Sequence, residues 1–116
     1  MKDDLIYLGH IQDSIKAIKS FTKGMDRASF KKNRLVQDAV IRNLEIIGEA
    51  SKKLSNNFRK KFKDVPWKAM AGMRDVLIHG YFGVDLDNVW NVVAVRLSAL
   101  QRQINKIIRQ EKSKRK

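Results

Sequence analysis

Cysteine is absent from this 116-residue chain, which removes any disulfide framework and any thiolate metal site. Its two histidines, His10 and His79, stand far apart in sequence, so no zinc site is expected, nor any other metal or cofactor. Proline occurs once, at Pro66, and helix-forming residues abound, so an all-α domain is expected. No apolar run approaches the roughly 20 residues that span a bilayer. The first ten residues, MKDDLIYLGH, include two acids and form no apolar signal core. A cytoplasmic protein without membrane association is therefore expected. Acids are scarce: 12 Asp+Glu stand against 25 Lys+Arg, a formal charge of +13. That excess favours polyanionic partners such as RNA, DNA or an acidic protein, although basic charge alone is not a site. Internal repeats, a Walker loop and a dinucleotide fingerprint are all missing, and Gly72, Gly80 and Gly83 match neither phosphate-cradle spacing.

The length suits one domain. Its expected extent is 1–108, followed by a frayed basic tail at 109–116, whose sequence from Arg109 is RQEKSKRK. Leu8, Ile11, Ile15, Ile18 and Thr22 alternate steps of three and four, predicting a first helix from about Asp3 to Lys23, capped by Asp3 or Asp4 and stopped at Gly24. His10 falls beside that stripe as an ordinary surface histidine. Ser29 suits an N-cap, and a long helix with a break near Asn33 is expected to run to about Leu54. Val40, Leu44, Ile47, Ser51 and Leu54 share its apolar face. Asp38, Arg42, Glu45 and Glu49 form a polar row on the same helix. The row serves either as a solvated face with internal ion pairs or, with Asn43, as a source of a group that orients Arg74. A short basic helix over Asn56–Lys63 follows. Pro66 then suits the first position of the next helix, and Asp85 or Asp87 suits the cap of the last. That last helix carries Trp90, Val93, Leu97, Leu100, Ile104 and Ile107, a heptad-like row suited to a bundle seam or a dimer contact.

Chemistry concentrates in WKAMAGMRDVLIHGY, Trp67–Tyr81. Arg74 presents a guanidinium fork suited to phosphate. His79, five positions on, is the side-chain type that can give or take a proton near neutrality. Tyr81 adds a phenol that can donate a hydrogen bond, stack, or be modified. Arg and His together suit phosphodiester chemistry without a metal. On an ideal helix five positions turn through about 140°, so the two do not share a face. The reach of the Arg side chain, unwinding at Gly80, or a second subunit could bring them together.

The stretch RDVLIHGY from Arg74 to Tyr81 resembles the R-x4-H-x-Y pattern of the HepT family, a branch of the HEPN superfamily. Three further stretches strengthen the likeness: RNLEIIGEASKKL at 42–54, VPWKAMAGM at 65–73 and YFGVDLDNVW at 81–90. The resemblance implies an up-and-down bundle of four to five helices that forms a homodimer, with the two Arg-His motifs meeting in a cleft at the dimer interface. It implies the toxin half of a type VII toxin–antitoxin pair, acting as a metal-independent endoribonuclease. Arg74 and His79 would be the catalytic pair. The implied partner is an MntA-type minimal nucleotidyltransferase, which would neutralise the toxin by adding AMP to Tyr81, a residue that could otherwise contact RNA. Alternatively the chain would be a non-catalytic, substrate-binding subunit of a nucleotidyltransferase complex.

Overall fold

The stripe Leu8, Ile11, Ile15 and Ile18 is entirely shielded from solvent, and it belongs to α1 (Lys2–Phe21). A computed structural model describes residues 2–72 and 85–114. The Thr22 hydroxyl donates to the Ile18 carbonyl at 2.8 Å as α1 ends. Gly24 follows with φ +77°, in the left-handed region where glycine carries no Cβ penalty.

A short helix, α2 (Arg27–Lys32), is capped by Asp26 rather than by Ser29. Ser29 occupies the third helical position and completes a reciprocal box: its N–H donates to Asp26 Oδ1 at 2.8 Å, and its Oγ accepts from the Asp26 N–H at 3.0 Å. The Ser29 amide bond, then the Ser29 hydroxyl, hold the Asp26 carboxyl below its ordinary range. The expected break at Asn33 is present. Asn33 closes α2 through its N–H to the Phe30 carbonyl and opens α3 (Arg34–Lys53) by accepting from the Val36 N–H. Along α3, Val40, Leu44, Ile47 and Ser51 are buried as expected, as is Gly48, and Leu54 caps the helix as another buried residue.

α4 (Asn56–Lys61) starts at its N-cap, Ser55, and is joined there to the opposite end of the sequence. The Ser55 N–H donates to Asp4 Oδ1 at 2.8 Å, and the Ser55 hydroxyl to Asp4 Oδ2 at 2.9 Å. The expectation that Asp4 caps its own helix is thus corrected: this buried carboxylate fastens the start of α1 to the end of α3. The two helices must therefore run antiparallel. Hydrogen bonds to charged groups contribute about 1.5–3 kcal/mol each, and because these two share one carboxylate and do not add in full, Asp4→Ala should cost about 2–4 kcal/mol in urea unfolding. Asp4→Asn should cost less, because the Ser55 hydroxyl can turn to accept from the new amide. Equal losses for both variants would contradict the bidentate clamp.

Helical backbone resumes at 67–72 (α5). Pro66 sits one position ahead of the expected place, outside the helix, with its carbonyl accepting from the Met70 N–H at 3.0 Å. α6 (Leu86–Asn91) is capped by Asp85, which accepts from the Asp87 and Asn88 N–H groups. It leads through a π-helical turn, Val92–Arg96, into α7 (Leu97–Ser113). In that turn the Leu97 N–H reaches the Val92 carbonyl, five residues back.

α1 packs along both α3 and α7, and against α3 most extensively. Gln12 bonds Asn105 and Lys19 bonds Gln101, each at 2.8 Å. Since 12 pairs with 105 and 19 with 101, α7 is antiparallel to α1 as well. The described residues contain no strand, and the all-α, up-and-down arrangement stands. The tail expected to fray from Arg109 is helical through Ser113. Ile108 is buried there, and Glu111 pairs with Lys61 at 2.8 Å, raising the Lys61 ammonium above its ordinary pKa. No described helix is long and apolar enough to cross a membrane.

Candidate functional site

Arg74, His79 and Tyr81, together with Gly80, lie outside the described residues. What the structure supplies is the anchorage on either side of them. On the N-terminal side, Trp67 is 5% exposed and donates through Nε1 to the Phe62 carbonyl at 2.9 Å. Its ring centroid is 6.3 Å from that of Phe58, which in turn lies 4.9 Å from Phe62. Met70 and Ala71 are buried on the same helix. Three aromatic rings and the Trp67 hydrogen bond therefore hold residues 67–72 of α5 against α4. Apolar burial of this kind contributes about 1.5–3 kcal/mol for a large side chain.

On the C-terminal side, the Asp85 cap holds the start of α6. Trp90 packs on Phe30, with centroids 5.3 Å apart. Asp87 sits 3.3 Å from Lys31 and 4.0 Å from Arg27. The second anchor is thus α2, whose six residues present Phe30 to the core and two cations to Asp87.

The polar row of α3 makes its described contacts along its own helix. Arg34 Nε meets Asp38 at 3.1 Å, Arg42 meets Glu45 at 3.6 Å, and Lys53 meets Glu49 at 3.6 Å. Asn43 donates from Nδ2 to the Ala39 carbonyl at 2.8 Å. These are the internal pairs of a solvated face, each contributing about 0.2–0.5 kcal/mol. The alternative role, orienting Arg74, involves a residue outside the described set. His10 is exposed, with its ring edge-on to Tyr7 at 6.1 Å. It lines a small surface cleft of about 200 Å³ with Glu49 and Lys53. That cleft is closed on itself by the Lys53–Glu49 pair and by the Lys53 ammonium 5.8 Å over the Tyr7 ring, consistent with a surface histidine.

Comparison with known proteins decides the family. The family model described as "Ribonuclease HepT-like" matches residues 11–107, a span that includes Arg74, His79 and Tyr81. The chain belongs to the HepT-like ribonuclease family. It is 41% identical over 112 residues to a protein of Caldanaerobacter subterraneus subsp. tengcongensis named "Putative RNase", covering 97% of this chain and 100% of the relative. It is 43% identical over 101 residues to the "Probable ribonuclease HepT" of Thermococcus cleftensis, covering 87% of this chain and 92% of the relative. A longer Methanocaldococcus jannaschii protein, named "Gamma-glutamylcyclotransferase and putative RNase", is 49% identical over 107 residues; these are 92% of this chain but 48% of that one, about half its length. No solved structure matches this HepT-like chain.

Proposed function

We propose that this HepT-like protein is the toxin of a type VII toxin–antitoxin pair and a metal-independent endoribonuclease, with residues 1–108 as its ribonuclease domain. The observation that carries the reading is the family match across 11–107, within which Arg74, His79 and Tyr81 stand in R-x4-H-x-Y spacing. In the reaction the ribose 2′-oxygen attacks the adjacent phosphorus. The 2′-O–P bond forms and the P–O5′ bond breaks, leaving a 2′,3′-cyclic phosphate and a free 5′-OH. His79 of one protomer takes the 2′-OH proton, and His79 of the second protomer supplies the proton to the departing 5′-oxygen. Arg74 holds the scissile phosphate and stabilises the charge that builds on its oxygens. A homodimer places both histidines in one cleft, which is why the proposal includes dimerisation.

The test is single-turnover cleavage of a mixed RNA pool by the purified protein in EDTA, with analysis of the product ends. Cyclic-phosphate ends without added metal are the expected result. Strict dependence on magnesium would contradict the mechanism. Absence of cleavage from a protein carrying no covalent modification would instead favour a non-catalytic subunit of a nucleotidyltransferase complex.

Neutralisation by an MntA-type nucleotidyltransferase follows from the same motif. AMP attached to the Tyr81 hydroxyl carries phosphate negative charge close in sequence to Arg74, where it competes with substrate phosphate and repels RNA. Tyr81→Phe should therefore remain a ribonuclease yet resist a co-expressed nucleotidyltransferase, with intact mass spectrometry showing no AMP-sized increment. Increments on the Phe variant would place the modification elsewhere.

A further inference from the structure

A groove of about 760 Å³ runs along the junction of α4 and α5. Val65, Pro66 and Ala69 contribute apolar lining, and Arg59, Lys60, Lys63 and Lys68 contribute four cations; among the described residues no carboxylate lines it. The charge pattern differs from that at neighbouring helix junctions. Lys61, on the same helix, is matched by Glu111, and Lys31 is matched by Asp87. Among the described residues none of the four groove cations makes an ion pair. Arg59 gives one Nη2 bond to Asn56 Oδ1 at 2.6 Å, while its Nε has no partner among the described residues. Lys60, Lys63 and Lys68 are exposed. Concentrating like charge without a counter-charge is unfavourable in the free protein, and a bound polyanion relieves it.

We propose that this groove is a backbone track for single-stranded RNA, separate from the Arg74–His79 pair and feeding it. The inference rests on the ribonuclease reading for the identity of the polyanion; the groove itself rests on the geometry. Lys60, Lys63 and Lys68 contact phosphates, and the apolar lining accommodates ribose or base faces without reading sequence. Arg74 is six residues beyond Lys68. A chain of that length spans at most about 21 Å, so a strand seated in the groove is within a few nucleotides of the proposed chemistry. An acidic protein segment is the competing occupant. The closely spaced charges and the family's ribonuclease character favour RNA.

The test is fluorescence-anisotropy titration of a labelled unstructured RNA oligonucleotide, across a range of NaCl concentrations. It compares the wild type, a Lys60→Gln/Lys63→Gln/Lys68→Gln protein, and a Lys16→Gln/Lys23→Gln/Lys112→Gln control with the same loss of charge. Each phosphate contact with a single strand contributes about 0.7 to the slope of log K against log salt. The groove variant should lose about 2 from that slope, while the control keeps most of it. Single Lys60→Gln, Lys63→Gln and Lys68→Gln proteins, each losing about 0.7, serve if the triple variant does not fold. Equal slopes for groove and control variants overturn the track, and so does a polyglutamate of matched charge that competes as well as RNA. The two proposals fail separately. A wild type that carries no covalent modification, binds RNA through the groove and cuts nothing removes the ribonuclease reading and keeps the track. A wild type that cuts RNA with a salt slope insensitive to the groove does the reverse.

Discussion

His79→Ala should abolish nearly all RNA cleavage, lowering the single-turnover rate by about 10²–10⁴-fold, the usual contribution of a positioned general acid or base. In the proposed dimer every cleft loses both proton-transfer groups at once, so the upper part of that range is expected. Arg74→Ala should fall by about 10²–10³-fold, as removal of one transition-state charge stabiliser generally does. Arg74→Lys should recover part of the loss, since it keeps the charge but not the bidentate fork. His79→Ala and Arg74→Lys should still bind the RNA oligonucleotide with close to the wild-type salt slope, because the proposed track runs through Lys60, Lys63 and Lys68, while Arg74→Ala gives up one phosphate contact and should lose about 0.7 from it. A mixed dimer, with one wild-type and one His79→Ala protomer, separates shared from independent sites. If the two histidines act on one phosphate, the mixed dimer is nearly as slow as the double variant. If each protomer cuts alone, it keeps half the activity. Full cleavage by a clean His79→Ala preparation would remove His79 from the mechanism.

The apolar skeleton was legible because burial leaves a period in the sequence. The stripe from Leu8 to Ile18 and the face from Val40 to Leu54 are the buried cores of α1 and α3. Asn33, and Asp85 as one of two candidates beside Asp87, were legible as helix boundaries because short polar side chains satisfy orphan amides there. Ser29 misled for a related reason. In a reciprocal box the first and fourth residues are both short and polar, and only the backbone shows which one is the cap. Asp4 was illegible in principle: its partner is Ser55, 51 positions away, and no local pattern reports such a contact. The π turn at Val92–Arg96 hid because the step of four from Val93 to Leu97 is also an ordinary helical step. The end of α7 was misjudged because the lysines outweighed Ile108 and Glu111, which hold it. For the site, the Arg74–His79 spacing alone is an undemanding two-residue pattern, and the wider stretches at 42–54, 65–73 and 81–90 gave it its context. The groove cations were visible as a short basic helix, but their lack of carboxylate partners among the described residues depends on how α4 meets α5.

Phe30→Ala should be the most damaging single change to the described fold, at about 3–5 kcal/mol. Phe30 is 0% exposed, and it is the only buried side chain of α2, a helix of six residues. A helix so short has little stability of its own, so its place depends on that ring. The ring also packs against Trp90 at 5.3 Å, a contact that contributes about 0.5–1.5 kcal/mol beyond burial. Alanine leaves both a cavity and an unsupported indole. With a typical domain stability of about 5–15 kcal/mol, the loss consumes a large share of the total. It also falls on α6, the C-terminal anchor of the segment carrying Arg74, His79 and Tyr81. Cleavage should therefore fail on warming at a lower temperature than in the wild type, while at low temperature the rate per folded molecule changes far less than in His79→Ala. Phe21→Ala is the matched control: that ring is 44% exposed and should cost about 0.5 kcal/mol or less. Urea unfolding of the two variants checks the contrast, and a Phe30→Ala loss as small as the control's would contradict the packing of α2 on α6.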